Sequence, residues 1–256
     1  MRYYLIGILL LGGLAPMWLA SHLHGRWIEP IRPRVPTLAP YLVIMAGLVG
    51  IGLAVDGPHL FADGRWPGLA VSPLLGYVIS RLSWRADRWI LTRLTRRGEH
   101  TPPPARLRPA RGTVRPVGIA ADKGTLDGPA PGQATGRWTR LERTRDTHLG
   151  PAWLIGGAVL EELLYRGAWG RLALDAALLS ATIALLTVAT LAFTVLHLPF
   201  GWAHVVAKLP LSLAALAATL ISGSILAAAI GHAWFNLRVW KHYRSVFGGQ
   251  KRRTGR

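Results

Sequence analysis

The sequence predicts an all-α protein, a polytopic transmembrane helix bundle of about six or seven spans with a four-helix core in its second half. Two observations carry that expectation. The chain has 256 residues, 51% hydrophobic and 16% charged, and its apolar residues gather into blocks instead of alternating as they do in soluble helices or strands. The charge is also segregated: 30 Lys and Arg stand against 12 Asp and Glu, a formal +18, concentrated after Ile79 and again after Asn236. A nucleic-acid binder would spread such charge over a soluble domain, whereas loops and tails facing anionic lipid headgroups hold it in blocks. The expected partner is therefore a bilayer with anionic headgroups and not a nucleic acid. Cysteine is absent, which excludes a disulfide framework, a thiolate metal site and a cysteine nucleophile.

Taken in order, the first apolar run is Tyr3 to Ala20 after Arg2, readable as a retained anchor helix or as a signal peptide cut near Ala20-Ser21. The retained helix is preferred. Pro40 to Val55, extended upstream by Val35 to Ala39, approaches the roughly 20 residues a span needs. Trp66 to Ser80 is short and holds Pro73, so it either continues into the helix that follows or enters the membrane partway. Trp84 to Arg97 sets Trp84, Ile90, Leu91 and Leu94 among arginines, the pattern of a basic amphipathic helix lying on a leaflet, with a solvated charged extension as the alternative. Gly98 to Gly136, rich in Pro, Gly and Arg, has too few large apolar residues to build a core and reads as a linker.

In the second half, Pro151 suits the first turn of a helix reaching Gly167. Asp175 is placed to cap a long helix running to about His197. Two further apolar helices, about Val205 to Ile221 and Gly223 to Trp240, part near Ser222-Gly223. Four segments result: N-terminal transmembrane helices over 1–80, a basic amphipathic helix and linker over 81–148, the helical core over 149–241, and a basic tail over 242–256. Lys and Arg counts orient them: 81–145 carries fifteen and the tail from Arg238 seven, so 81–147 and the C-terminus are both expected on the cytoplasmic side. An even number of spans must then separate them, as four helices do. The setting that fits is a bacterial inner (plasma) membrane.

The chemistry lies in polar residues set inside apolar helices. Glu161, Glu162 and Arg166 occupy one helix, and at about 3 kcal/mol for each ionisable group near a helix centre they would cost roughly 9 kcal/mol facing lipid. They must therefore face a protein interior or a water cavity, unless they merely mark a helix end at the membrane surface. Glu162 and Arg166 are one turn apart and stack on one face, so the economical reading makes them an internal ion pair. Glu161 points elsewhere and is left to act on a water. His197 closes the next helix after Phe193, and His232 and Asn236 share a face of the last. A lone histidine in an apolar helix is usually a satisfied core residue, but three helices bearing such groups together supply a base, a water-positioning or metal-binding group, and donors for an oxyanion.

The patterns EExxxR (Glu161 to Arg166), FxxxH (Phe193 to His197) and HxxxN (His232 to Asn236), in that order on successive core segments, resemble the three motifs of the CPBP family, the CAAX-protease and bacteriocin-processing (Abi) intramembrane endopeptidases. Tyr165-Arg166-Gly167 resembles the aromatic-Arg-Gly that follows the glutamates in that family. The resemblance implies that residues 149–241 form a catalytic transmembrane core hydrolysing a peptide bond in a membrane-associated protein or peptide, lipidated or of prenylated CAAX type. It further implies that Glu161 and His197 activate a water, that His232 and Asn236 stabilise the oxyanion, and that Glu162 and Arg166 complete the catalytic set. Older descriptions make such enzymes metalloproteases, and a glutamate-type mechanism needing no cofactor is preferred here. Were Zn²⁺ used, His197, His232 and Glu161 would be its ligands, although the HExxH arrangement of familiar zinc proteases is missing.

Other polar residues take plainer readings. His204, beside Trp202, suits an interfacial loop, Lys208 and Pro210 a boundary and a kink, and Trp153, Trp169 and Trp240 an interfacial aromatic belt. Two alternatives to a protease remain: a non-catalytic membrane protein that binds a peptide or confers bacteriocin immunity, and a proton-coupled transporter, which would be expected to show an internal repeat that this sequence lacks.

Overall fold

The computed structural model describes residues 1–32, 35–36, 38–57, 66–98 and 150–253. Among these the secondary structure is helical throughout, with no strands. The linker read at Gly98 to Gly136 lies almost wholly outside the described residues.

The first run is not one helix. It divides into α1 (Arg2–Leu14) and α2 (Pro16–Leu23), the latter continuing through a π turn (His24–Ile28). The two parts bend by 77° at Ala15. The single run expected over Tyr3 to Ala20 is broken because Pro16 cannot donate to the preceding turn, and the residue before it is pushed out of the helical region, to φ −143° and ψ 46°.

Helix α3 (Leu38–Asp56) has 19 residues, about 28 Å at a rise of about 1.5 Å per residue and close to the thickness of a hydrocarbon core. Its Pro40 falls in the first turn, where a missing N–H costs no hydrogen bond.

Helix α4 (Trp66–Gly98) runs unbroken for 33 residues with Pro73 inside it. The boundary expected at 80/81 falls within one helix, and Trp84 and Asp87 of its basic half pack against the bundle. The reason is a stripe of small or polar residues at three- and four-residue spacing. Ser72, Ser80, Ser83 and Asp87 are buried, and with Gly68 and Gly76 they let neighbouring backbones approach.

Beyond the gap, α5 (Pro151–Glu162) passes through a π turn (Leu163–Ala168) directly into α6 (Trp169–Leu174). Asp175 ends α6 and pairs with Arg171 at 3.3 Å. It does not cap the next helix, as had been expected, because α7 (Leu179–Val195) begins four residues later, after Leu178. A short 3-10 turn (Leu198–Phe200) leads to α8 (Trp202–Ser222). Gly223, at φ +65°, closes α8 in the left-handed conformation that glycine adopts without a Cβ penalty. The final helix, α9 (Leu226–Arg253), extends well past Trp240 into the basic tail.

Contacts along the helices set their directions. Gly68 of α4 abuts Ser222 of α8, while Asp87 of α4 meets Lys208 of α8, so α4 and α8 run antiparallel. Helices α4 and α9 run parallel, with Gly76 against Ile230, Tyr77 against Trp234, and Trp84 against His242. Their seam is tight. A Cβ on Gly76 would stand 2.7 Å from Ile230 Cγ2, and one on Gly231 2.9 Å from Ile79 Cγ2. The basic C-terminal halves of α4 and α9 consequently share one end of the bundle, where Arg81 Nε donates to the Tyr77 hydroxyl at 3.0 Å and the Arg238 guanidinium lies 5.6 Å from the same ring.

The core joins the two halves of the chain: Leu9, Tyr41, Met45, Leu164, Tyr165, Trp169, Phe193, Leu211 and Phe235 pack into one cluster. Trp169, read from sequence as an interfacial aromatic, is buried there. Tyr165 donates to the Gly13 carbonyl at 2.7 Å. Among the described residues, α3 and α8 are long and apolar enough to cross a membrane, and the bent pair α1–α2 would add a third span if counted as one. Helix α7, apolar but shorter, exposes Leu179, Ile183, Leu191 and Val195 along one side.

Candidate active site

The site forms where α5 crosses α9 in the antiparallel sense, Leu154 meeting Asn236 at one end and Glu162 meeting His232 at the other. Glu161 and Glu162 are the last residues of α5 before the π turn, and both are buried, as is His232. Such a turn follows an i→i+5 pattern and often marks functional positions.

His232 stands between the two glutamates. Its Nδ1 lies 2.9 Å from Glu162 Oε1, a hydrogen bond, and its Nε2 lies 3.7 Å from Glu161 Oε2, a charge contact without a direct bond. On its far side Glu162 faces Arg166, with Arg166 Nε 3.3 Å from Oε2 and Nη1 3.5 Å from Oε1. The Oε2 contact is close enough for an ion pair, yet Oε2 accepts no well-directed hydrogen bond. Arg166 is turned toward α8 instead: Nη2 donates to Ser212 Oγ at 2.7 Å and to the Ser212 carbonyl at 3.0 Å, and the guanidinium lies 4.2 Å from the centroid of the Phe193 ring. The guanidinium thus has hydrogen-bond acceptors, a carboxylate and an aromatic face around it, as a buried cation requires.

Glu161 is held differently. Its Oε1 accepts the Tyr41 hydroxyl at 2.8 Å, a contact across 120 positions of sequence. From sequence Glu161 and Glu162 point to different surroundings, and the structure gives them different outer partners, Tyr41 and Arg166. It also brings both onto His232, which helical spacing alone does not reveal.

His197 sits in the turn after α7 and is buried. Its Nδ1 lies 3.3 Å from the Phe193 carbonyl, and the Phe193 ring touches both histidines, with centroids 5.6 Å from His197 and 5.3 Å from His232. Asn236 is partly buried, and its Nδ2 donates to the Leu154 carbonyl at 3.2 Å; an amide nitrogen carries a second proton for another acceptor. Among the described residues no three His, Asp or Glu side chains converge so as to hold a metal ion. Of the three ligands considered for Zn²⁺, His232 has Nδ1 hydrogen-bonded to Glu162 and Nε2 3.7 Å from Glu161.

Sequence reasoning missed two participants in the site and one buried pair elsewhere in the bundle. Tyr41 and Ser212 carry no motif and meet the site only through tertiary packing. Lys208, read as a boundary residue, is buried, with Nζ 2.6 Å from Asp87 Oδ1 and 4.2 Å from the centroid of the Phe235 ring. A lysine inside an apolar helix was itself a signal for a buried partner. His204 makes an edge contact with Phe200 at 6.3 Å, beside the exposed Trp202.

Among the described residues, apolar helices of spanning length thus enclose a buried Glu-His cluster, ionisable groups of a kind that inside a membrane bundle mark a functional site. The family model described as type II CAAX prenyl endopeptidase Rce1-like matches residues 146–238. The match covers about a third of the chain and agrees with the CAAX-protease resemblance read from the three motifs. None of the curated proteins or solved structures compared with the chain matches it.

Proposed function

We propose that this protein is a glutamate-type intramembrane endopeptidase that hydrolyses one amide bond near the end of a membrane-associated, lipid-modified protein or peptide. The observation that carries the reading is the burial of two carboxylates against one imidazole, an arrangement whose cost inside a membrane protein calls for a function. Glu161 takes a proton from a water, which attacks the substrate carbonyl carbon. His197 helps to position that water. His232 is oriented by the bond from Nδ1 to Glu162 and turns Nε2 toward the Glu161 side. With both ring nitrogens of His232 protonated, its Nε2–H and the second amide proton of Asn236 are the donors for the developing oxyanion. Glu161 then passes its proton to the leaving amine, which closes the cycle. Arg166 balances Glu162, so that Glu162 orients His232 without itself acting as the base.

The test is hydrolysis by the detergent-purified protein of a fluorogenic peptide, prenylated and unmodified forms compared. Cleavage of the prenylated form that persists after exhaustive chelation is expected. Binding without turnover would make the protein a silent peptide binder, and loss with chelator restored by stoichiometric Zn²⁺ would make it a metalloenzyme.

The proposed topology has about six or seven spans, with the basic segment 81–147 and the C-terminus on the cytoplasmic face of a bacterial inner membrane. The parallel packing of α4 and α9, which gathers their arginines at one end, supports it. Cysteines placed singly at Thr113 and Thr254 should both resist an impermeant external thiol reagent in intact cells; labelling of either would refute the shared orientation.

A further inference from the structure

We infer that Tyr41 is a positioning residue for the Glu161 carboxylate, so that a helix outside the family-matched segment completes the site; this rests on the proposed role of Glu161 as base. Tyr41 is fully buried on α3, and its hydroxyl donates to Glu161 Oε1 at 2.8 Å. A carboxylate on a flexible side chain has two equivalent oxygens and several rotamers. Occupying one oxygen with a rigid phenol removes that freedom. The oxygen left toward His232 is Oε2, which lies 3.7 Å from Nε2, and it is from this side that a water must be deprotonated.

The chemical type of the donor matters as well. Glu162 faces a guanidinium, which pairs its charge. Glu161 receives a neutral hydroxyl, which orients the carboxylate and leaves its charge available to the reaction. The ring fixes the hydroxyl in turn, because Tyr41 belongs to the packed cluster with Met45, Tyr165 and Phe193.

Two measurements test this. In the peptide assay, Tyr41→Phe keeps the ring and should lower kcat by at least about 10-fold, the scale of a hydrogen bond to a charged group, with KM changed less than about twofold. A raised KM at unchanged kcat would overturn the inference, since Tyr41 would then touch substrate. Independently of turnover, thermal unfolding of the wild type, Tyr41→Phe, Glu161→Met and the double variant should be non-additive, the double losing less than the two singles together. Additive losses would overturn the inference whether or not the enzyme is active. A wild type that cleaves nothing while the unfolding cycle stays non-additive would sink the hydrolase reading and leave the Tyr41–Glu161 coupling standing.

Discussion

Among the described residues two buried charged clusters stand out, and they are built on different principles. Between α4 and α8, one carboxylate and one ammonium, Asp87 and Lys208, close on each other at 2.6 Å with the Phe235 ring beneath the ammonium. The pair is balanced and local. Between α5 and α9 stand two carboxylates, one guanidinium and His232, and one of the carboxylates, Glu161, has a neutral phenol where its neighbour has a cation. Both clusters bear the cost of taking charge out of water. The first cancels its charge and acts as a clasp between helices; the second holds one carboxylate beyond the one that Arg166 pairs, with His232 shared between the two. That surplus separates a structural pair from a site.

The sharpest way to break this contrast is to remove the surplus. Glu161→Gln keeps the size of the side chain and its ability to accept from Tyr41, so the protein should fold with an unchanged melting temperature. Peptide hydrolysis should fall at least about 100-fold, the low end for a general base. Normal turnover in this variant, beside a stable and inactive Glu162→Gln, would invert the assignment.

A smaller and mixed effect is expected at the balanced positions. Glu162→Gln and Lys208→Met each strand a buried charge, a change that typically costs about 3 to 5 kcal/mol. Glu162→Gln should fall at the lower end, because Arg166 keeps its bonds to Ser212. Removing both partners should restore part of the stability in each case: Glu162→Gln with Arg166→Met, and Asp87→Leu with Lys208→Met. The outcomes for activity should then diverge. The Asp87/Lys208 double variant should cleave peptide at near wild-type rate, whereas the Glu162/Arg166 double variant should remain impaired for want of the group that orients His232. Equal recovery of activity in both would erase the distinction.

Much of this was legible before any coordinates. Apolar runs located α3, α8 and most of α9, and the three motifs named the residues that gather around Phe193 and His232. Contacts between distant segments were not legible. Nothing near Tyr41 in sequence announces a partner 120 positions away, and a basic stretch such as Trp84 to Arg97 reads as a surface helix until Asp87 is found against Lys208. Pro16, by contrast, stands in plain view in the sequence. A proline in the middle of an apolar run is direct evidence of a break, and the 77° bend at Ala15 follows from it.

The glycine seam between α4 and α9 has a bearing on tolerance to change. Gly231 is the chain neighbour of His232, and its face lies within touching distance of Ile79 and the Gly76 backbone. The depth at which the imidazole reaches the glutamates is therefore gauged by a hydrogen atom on the adjoining residue: a single added methyl there would push the backbone that carries His232 away from α4. The alignment of His232 with Glu161 and Glu162 is in this sense registered against a helix that carries none of the three motifs.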